Sequence, residues 1–401
     1  MSGINQMPHG DNTCDIFCTV VDNYGDIGVS WRLARQLANE FGVSVRLWVD
    51  DLQSFARLCP QVDVMLDEQH QQGVEVRRWP AEFPPVEPAA LIIEAFACRL
   101  PQRYVAAMAA RDKKPVWVNL EYLSAEDWVE GCHKLPSPHP TLPLTKYYFF
   151  PGFAPQTGGL LLERDLLKRR DAFQADAAAQ AIFWQGLGVP ERQPGELRVS
   201  LFSYENEAME GLLHTWEHGA QLVTCLVPEG RASPQVRQYF EGALSCGSDF
   251  SPTDIVGLKS DPQVYSRGNL RVHVLPFVEQ DRYDELLWAC DINFVRGEDS
   301  CVRAQWAARP FIWHIYPQHD GVHLVKLEAL CERYTAGLPA DAAVAVRTMW
   351  AAWNGGTGIG AVWLSLLAQR EVLARHGKDW AQQLSSNKLT LNLLDFLRKN
   401  A

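Results

Sequence analysis

The chain has no apolar run approaching the roughly 20 residues that a membrane-spanning helix needs. Its amino terminus shows no basic stretch followed by an apolar core, so no export leader is predicted. Positive charge is scarce: 37 Lys and Arg stand against 48 Asp and Glu, a formal net charge of -11, which argues against a nucleic-acid binder with a basic face. The pairs and triplets that do occur, Arg77-Arg78 and Lys168-Arg169-Arg170, read as solvated helix ends. The ten cysteines include no Cys-x-x-Cys pair, and Cys18, Cys225 and Cys290 fall inside apolar runs. That usage predicts buried, reduced thiols in the cytoplasm rather than a disulfide framework or a zinc site. His314, His319 and His323 have no companion Cys or Glu cluster, so no metal is expected there.

Alternating strands and helices fill the chain twice. At 401 residues it exceeds the roughly 250–300 that a single core supports, so two domains are expected. In the first half, strands are predicted at 16–21, 43–49, 74–77, 90–94 and 115–119, with helices at 29–41, 52–58 and 103–110. The Pro- and Gly-rich segment 136–159 reads as the close of the first domain with a linker. The second half restarts with strands at 197–203, 221–227, 270–275, 291–295 and 310–313, interleaved with helices at 209–218, 280–289, 301–308 and 321–331. The pattern predicts an α/β chain of two doubly wound, Rossmann-like domains facing each other across a cleft, 12–165 and 166–361. A helical tail, about 362–401, is expected to pack back on the first domain.

Two turns carry the chemistry. In the first, an apolar strand runs into Asp22-Asn-Tyr-Gly25-Asp26-Ile-Gly28 and then a helix. Ligands of open α/β sheets bind at such carboxyl ends, but phosphate-binding turns avoid acids because the helix amides are meant for an anion. Two carboxylates there point to a group that meets a cation or removes a proton. In the second, strand 291–295 runs into Arg296-Gly-Glu298-Asp299-Ser300 and another helix. Asp299 or Ser300 is the expected N-cap, the helix amides suit a phosphate, Arg296 suits a bidentate contact with it, and Glu298 suits sugar or ribose hydroxyls. A plain capping turn with a surface Arg–Glu pair fits the same residues. Two further strand ends, Phe202-Ser-Tyr204 and Phe277-Val-Glu-Gln280, offer aromatic faces and an amide to a nucleotide base, although aromatics at strand ends also serve as core.

Asp22-Asn-Tyr-Gly-Asp26-Ile-Gly-Val-Ser-Trp-Arg-Leu-Ala-Arg, followed later by Arg296-Gly-Glu-Asp-Ser300 and Ala304-Gln-Trp306, resembles the EarP family of bacterial protein-arginine rhamnosyltransferases over essentially the whole chain. The resemblance implies a GT-B glycosyltransferase that moves L-rhamnose, with inversion, from dTDP-β-L-rhamnose to one arginine of translation elongation factor P. The modified factor rescues ribosomes stalled on proline runs. Carried onto this sequence, it makes Asp22 and Asp26 the catalytic acids. It places the nucleotide sugar against Phe202, Tyr204, Phe277, Gln280, Arg296, Glu298, Asp299 and Ser300, with no cofactor and no metal.

The residues themselves leave alternatives open. A Rossmann dehydrogenase begins with a similar strand, turn and helix, but wants G-x-G-x-x-G without acids inside it. A non-catalytic sugar-nucleotide binder on the same fold would tolerate Asn at 22 and 26. A glycosyltransferase with another donor or acceptor keeps the same two turns, although no basic amphipathic stretch speaks for a lipid acceptor.

Overall fold

The computed structural model describes residues 12–21, 24–242, 263–318, 321–355 and 357–400. The chain divides into two compact units, one built from Met1–Arg164 with Leu384–Ala401 and the other from Asp165–Gln383.

The first unit contains β1 (Thr13–Cys18), α1 (Gly25–Phe41), β2 (Ser44–Val49), α2 (Leu52–Leu58), β3 (Glu68–Gln71), β4 (Val74–Arg78), β5 (Leu91–Ala95), α3 (Gln102–Ala110), β6 (Val116–Leu120), α4 (Trp128–Cys132), β7 (Pro136–Pro138) and β8 (Thr145–Phe149). Its sheet runs β3-β4-β2-β1-β5-β6-β8-β7, parallel except where β3 and β7 join the edges antiparallel. The central strands β5 and β6 are buried at every position, as unbroken apolar runs in a parallel sheet must be. One acid lies inside that core. Asp15 of β1, 0% exposed, accepts Arg46 Nε and Nη2 (both 2.6 Å), the Ala89 amide (3.0 Å) and the Tyr104 hydroxyl. A buried carboxylate is tolerable only when satisfied to this degree.

The segment expected as a linker, 136–159, instead supplies two strands of this sheet. Thr145–Phe149 is aromatic and β-branched, and it pairs parallel with β6 from Lys146 to Phe149. The prolines at 136 and 138 are accommodated because β7 is an edge strand. The first helix also begins earlier than its apolar spacing indicates. Gly25, Asp26 and Gly28 lie in its first turn, where the Gly28 amide donates to the Tyr24 carbonyl at 2.9 Å.

The second unit contains α5 (Leu166–Ala175), α6 (Ala177–Gly186), β9 (Leu197–Leu201), α7 (Met209–His218), β10 (Val223–Pro228), α8 (Ser233–Glu241), β11 (Gln263–Arg267), β12 (Leu270–Leu275), α9 (Gln280–Ala289), β13 (Ile292–Arg296), α10 (Asp299–Ala307), β14 (Phe311–His314), α11 (Val322–Thr335), α12 (Ala340–Gly355), α13 (Ile359–Ala368) and α14 (Arg370–Leu384). Its sheet runs β11-β12-β10-β9-β13-β14, parallel except at β11. The order reverses direction between β9 and β13, as it does between β1 and β5 in the first unit. Each sheet therefore has one switch point, where carboxyl-end loops part and a ligand crevice opens.

The tail returns later than expected. Residues 359–383 stay with the second unit because Trp363 packs on Trp216 (5.2 Å) and Phe294 (6.2 Å), and Trp380 packs on Tyr334 (5.7 Å). From Leu384 onward the chain belongs to the first unit. Asn387 Nδ2 donates to the Ala154 carbonyl (2.8 Å), Asn392 Nδ2 to that of Gly158 (3.0 Å), and Thr390 to Gln36. The last helix, α15 (Leu389–Asn400), buries Leu389, Leu393 and Leu397.

Candidate active site

In the first unit the turn leaving β1 is tied at two points. The Val20 amide donates to Asp50 Oδ1 beyond β2 (2.9 Å), and the Val21 amide donates to Asp26 Oδ2 in the first turn of α1 (2.9 Å). Asp26 is 4% exposed. No side chain caps α1, so the charge of Asp26 sits at an uncapped helix N-terminus, which favours the ionised carboxylate. Below it, burial and then the nearby Asp26 charge push the Cys18 thiol well above its ordinary range, so this cysteine is inert. The other predicted acid, Asp22, lies outside the described residues.

In the second unit three of the predicted residues form one stack. Arg296, the last residue of β13 and 6% exposed, holds its guanidinium 4.6 Å from the Phe202 ring and 4.7 Å from the Tyr204 ring. Both rings follow β9, the neighbour of β13 at the switch point. Phe202 is backed edge-on by Tyr283 (5.5 Å), and Tyr204 by His314 (5.3 Å) and Tyr316 (5.4 Å). Burial, then the Arg296 charge and His323, push His314 down to about 4, so at neutral pH the guanidinium is next to a neutral imidazole. One face of each aromatic ring is thus turned to Arg296.

The turn that follows is built by Gly297 at φ 60, a conformation that side-chain-bearing residues avoid, and the Gly297 carbonyl is held by Trp313 Nε1 at 2.8 Å. The cap differs from the expected one: the N-cap position of α10 falls on Glu298, with no side-chain cap. Ser300 is turned backwards, its hydroxyl accepting the Arg296 amide (3.0 Å) and donating to the Arg296 carbonyl. That leaves α10 without a capping side chain at the end where an anion fits best. Gln280, at the start of α9 and buried, reaches Asp299 Oδ2 at 3.5 Å, the limit of a hydrogen bond. Phe277 is partly exposed in the loop between β12 and α9. The two helices are braced by an ion pair that spacing alone does not reveal: Arg303 gives Nε (2.8 Å) and Nη2 (2.6 Å) to Asp284, both side chains 1% exposed.

Among the described residues no three His, Cys, Asp or Glu side chains gather as they would around a metal. No helix among them is long and apolar enough to cross a membrane.

Comparison with known proteins joins these two turns to one family. The family described as elongation factor P (EF-P) rhamnosyltransferase EarP matches residues 14–398. A protein-arginine rhamnosyltransferase of Pseudomonas putida is 50% identical over 390 residues, covering 97% of this chain and 99% of the relative. One of Pseudomonas aeruginosa is 51% identical over 92% of this chain and 94% of its own length. A solved structure described as the basis of EarP-mediated arginine glycosylation of elongation factor EF-P aligns at TM-score 0.67 and 36% identity over 97% of this chain and 99% of its own. A glycosyltransferase structure from Rickettsia africae, 9% identical over 97% of this chain and 98% of its own at TM-score 0.51, shares the fold alone. The two α/β units are those of the GT-B glycosyltransferase fold. The chain belongs to the EarP family of EF-P rhamnosyltransferases.

Proposed function

We propose that this protein is an inverting protein-arginine rhamnosyltransferase that moves L-rhamnose from dTDP-β-L-rhamnose to a single arginine of elongation factor P in the cytoplasm, activating the factor for rescue of ribosomes stalled at polyproline. The observation that carries this reading is the 50% identity to the Pseudomonas putida protein-arginine rhamnosyltransferase over 97% of the chain. The site chemistry agrees with it.

In one displacement, an Nη of the acceptor arginine attacks the anomeric carbon, the C–N bond forms as the bond to the diphosphate oxygen breaks, and dTDP leaves. The attacking nitrogen sheds one proton, which Asp26 takes as general base, while Asp22 holds the guanidinium in line. The sugar carbon passes through an oxocarbenium-like state, as in glycoside hydrolysis. Charge gathering on the leaving diphosphate is met by Arg296, preset between Phe202 and Tyr204, and by the uncapped start of α10 near Asp299 and Ser300. Glu298 takes sugar or ribose hydroxyls, and Phe277 and Gln280 take the base. A direct displacement needs neither a protein nucleophile nor a cofactor, and with Arg296 and helix amides on the diphosphate the mechanism calls for no metal.

Intact-protein mass spectrometry of elongation factor P incubated with the enzyme and dTDP-L-rhamnose tests this. The expected result is a gain of one deoxyhexose on a single arginine. Donor binding without any gain would transfer the reading to another acceptor.

A further inference from the structure

The loop that leaves β5 beside the Asp26 turn is held in a conformation that its residues disfavour. Phe96 (φ 55), Ala97 (φ 55) and Arg99 (φ 54) all lie in the left-handed region, and none is glycine. For a bulky aromatic such a φ is a true outlier. The loop is held there at every amide: Phe96 to the Leu120 carbonyl (2.7 Å), Ala97 to Asn119 Oδ1 (3.1 Å), Cys98 to the Ala95 carbonyl (3.2 Å) and Arg99 to Glu94 Oε1 (3.1 Å). Backbone strain fixed this thoroughly serves to aim a side chain. The side chain aimed is Phe96, whose ring lies nearly flat on that of Tyr122, centroids 4.8 Å apart and planes 25° apart. Tyr122 itself is 37% exposed.

Register places this pair next to the catalytic turn. Phe17 of β1 pairs with Glu94 of β5, and Glu94 with Asn119 of β6, so the three strands end level. Two strand spacings, about 10 Å, therefore separate the ends of β1 and β6. On β6 the next residue, Glu121, has its carboxylate held by Asn119 Nδ2, the same amide group whose oxygen fixes the strained loop. An aromatic face, a carboxylate oriented beside it and the Asp26 turn thus share one end of the sheet. This set matches a guanidinium, a planar cation whose faces stack on aromatic rings and whose N–H edge bonds carboxylates. It does not match a diphosphate, which Glu121 and Asp26 would repel.

We propose that Tyr122, backed by Phe96, and Glu121 form the subsite that receives the acceptor's arginine side chain, ring against guanidinium face and carboxylate against its N–H edge. The inference rests on the arginine-acceptor reading above and deepens it.

The test uses the full-length enzyme with Tyr122→Ala, Tyr122→Phe and Glu121→Gln. Initial rates are measured against elongation factor P at saturating dTDP-L-rhamnose, and dTDP affinity is taken by calorimetry. Tyr122→Ala and Glu121→Gln are expected to raise the acceptor KM by roughly tenfold or more while dTDP affinity stays within about twofold. Tyr122→Phe, which keeps the ring, is expected to shift the acceptor KM less than Tyr122→Ala does. An unchanged acceptor KM in both Tyr122→Ala and Glu121→Gln overturns the subsite. So does a parallel loss of dTDP affinity, which would assign the pair to the donor. A wild-type enzyme that leaves elongation factor P unmodified overturns the function itself, an outcome distinct from active wild type with indifferent variants. Thermal transitions separate misfolding from lost recognition in Tyr122→Ala, and Glu121→Gln preserves side-chain size at the second position.

Discussion

Replacing Arg296 by lysine keeps one positive charge in place and removes everything planar about it. The guanidinium is 6% exposed and lies 4.6 Å and 4.7 Å from two aromatic rings, so its plane is set before any ligand arrives. An ammonium on a flexible stem has no plane to set and offers a point charge where arginine offers a fork. Against a diphosphate, lysine keeps one charge-assisted hydrogen bond of the two a guanidinium makes, and the lost bond is worth about 1.5–3 kcal/mol. Immobilising the freer side chain on binding adds about 0.5–1.5 kcal/mol. Together they predict dTDP binding weaker by about 2–4 kcal/mol, a factor of roughly 30 to 1000 in Kd. Titration calorimetry of dTDP into wild type and Arg296→Lys reads this directly, with a melting curve to show that the variant is folded. A folded variant whose Kd lies within about threefold of wild type would refute the reasoning, because the fork and its aromatic clamp would then contribute nothing to the donor.

Asp26→Asn keeps an oxygen to accept the Val21 amide, so fold and dTDP affinity are expected to persist while transfer to elongation factor P is lost; full activity in that variant would remove Asp26 from the base role. Arg303→Met strands the buried Asp284 carboxylate, and a loss of about 3–5 kcal/mol in folding free energy is expected by denaturant titration. Removing both partners, Asp284→Leu with Arg303→Met, should recover a good part of that loss; no recovery would mean the helices are held by other contacts. Stability should also fall as pH falls from 6.5 to 4, because His133 and His314 are both pushed from the ordinary 6.5 down to about 4, chiefly by burial. The unfolded chain binds the extra protons in that window, so stability rises with pH across it, by up to about 3 kcal/mol for each histidine. Melting temperatures between pH 4 and 7 that stay flat, or a His314→Gln variant with the same slope as wild type, would contradict this.

What could be read from the sequence was local, and what could not was tertiary. Asp26 and Arg296 stand out because each follows an apolar strand and precedes a helix, a pattern carried by adjacent residues. The short edge strand Pro136–Pro138 has no such signal, since proline lowers strand propensity wherever it occurs and only an edge position makes it tolerable. β8 was hidden for a related reason, lying in a Pro- and Gly-rich surround that reads as loop. The stack of Arg296 on Phe202 and Tyr204 joins residues more than ninety positions apart, and nothing in either segment marks the partner. Tyr204 presents one face to a cation, and sequence alone does not tell that use from base stacking or core packing. The Phe96–Arg99 loop is the plainest case. Phe-Ala-Cys-Arg contains no glycine, so left-handed backbone is the last conformation its composition suggests, and only the hydrogen bonds from Glu94 and Asn119 hold it there.

The placement of a carboxylate, rather than a stronger base, follows from the order of events. An arginine side chain holds its protons to above pH ~12, so no protein carboxylate strips one from the resting guanidinium. Deprotonation first would demand a base that the turn after β1 does not contain. The attacking nitrogen becomes acidic only as it donates its electron pair to the sugar carbon, because the resonance that kept it weakly acidic is being withdrawn. A carboxylate already in hydrogen-bond reach then suffices, and its task is to be ionised and correctly placed. The structure provides for both: the Asp26 charge sits at an uncapped helix N-terminus, and Oδ2 is anchored by the Val21 amide. The guanidinium, in turn, must be held with its plane fixed while it loses conjugation, which is work for an aromatic face and a second carboxylate. Tyr122 and Glu121, set level with that turn by the register of β1, β5 and β6, meet that need without adding a base.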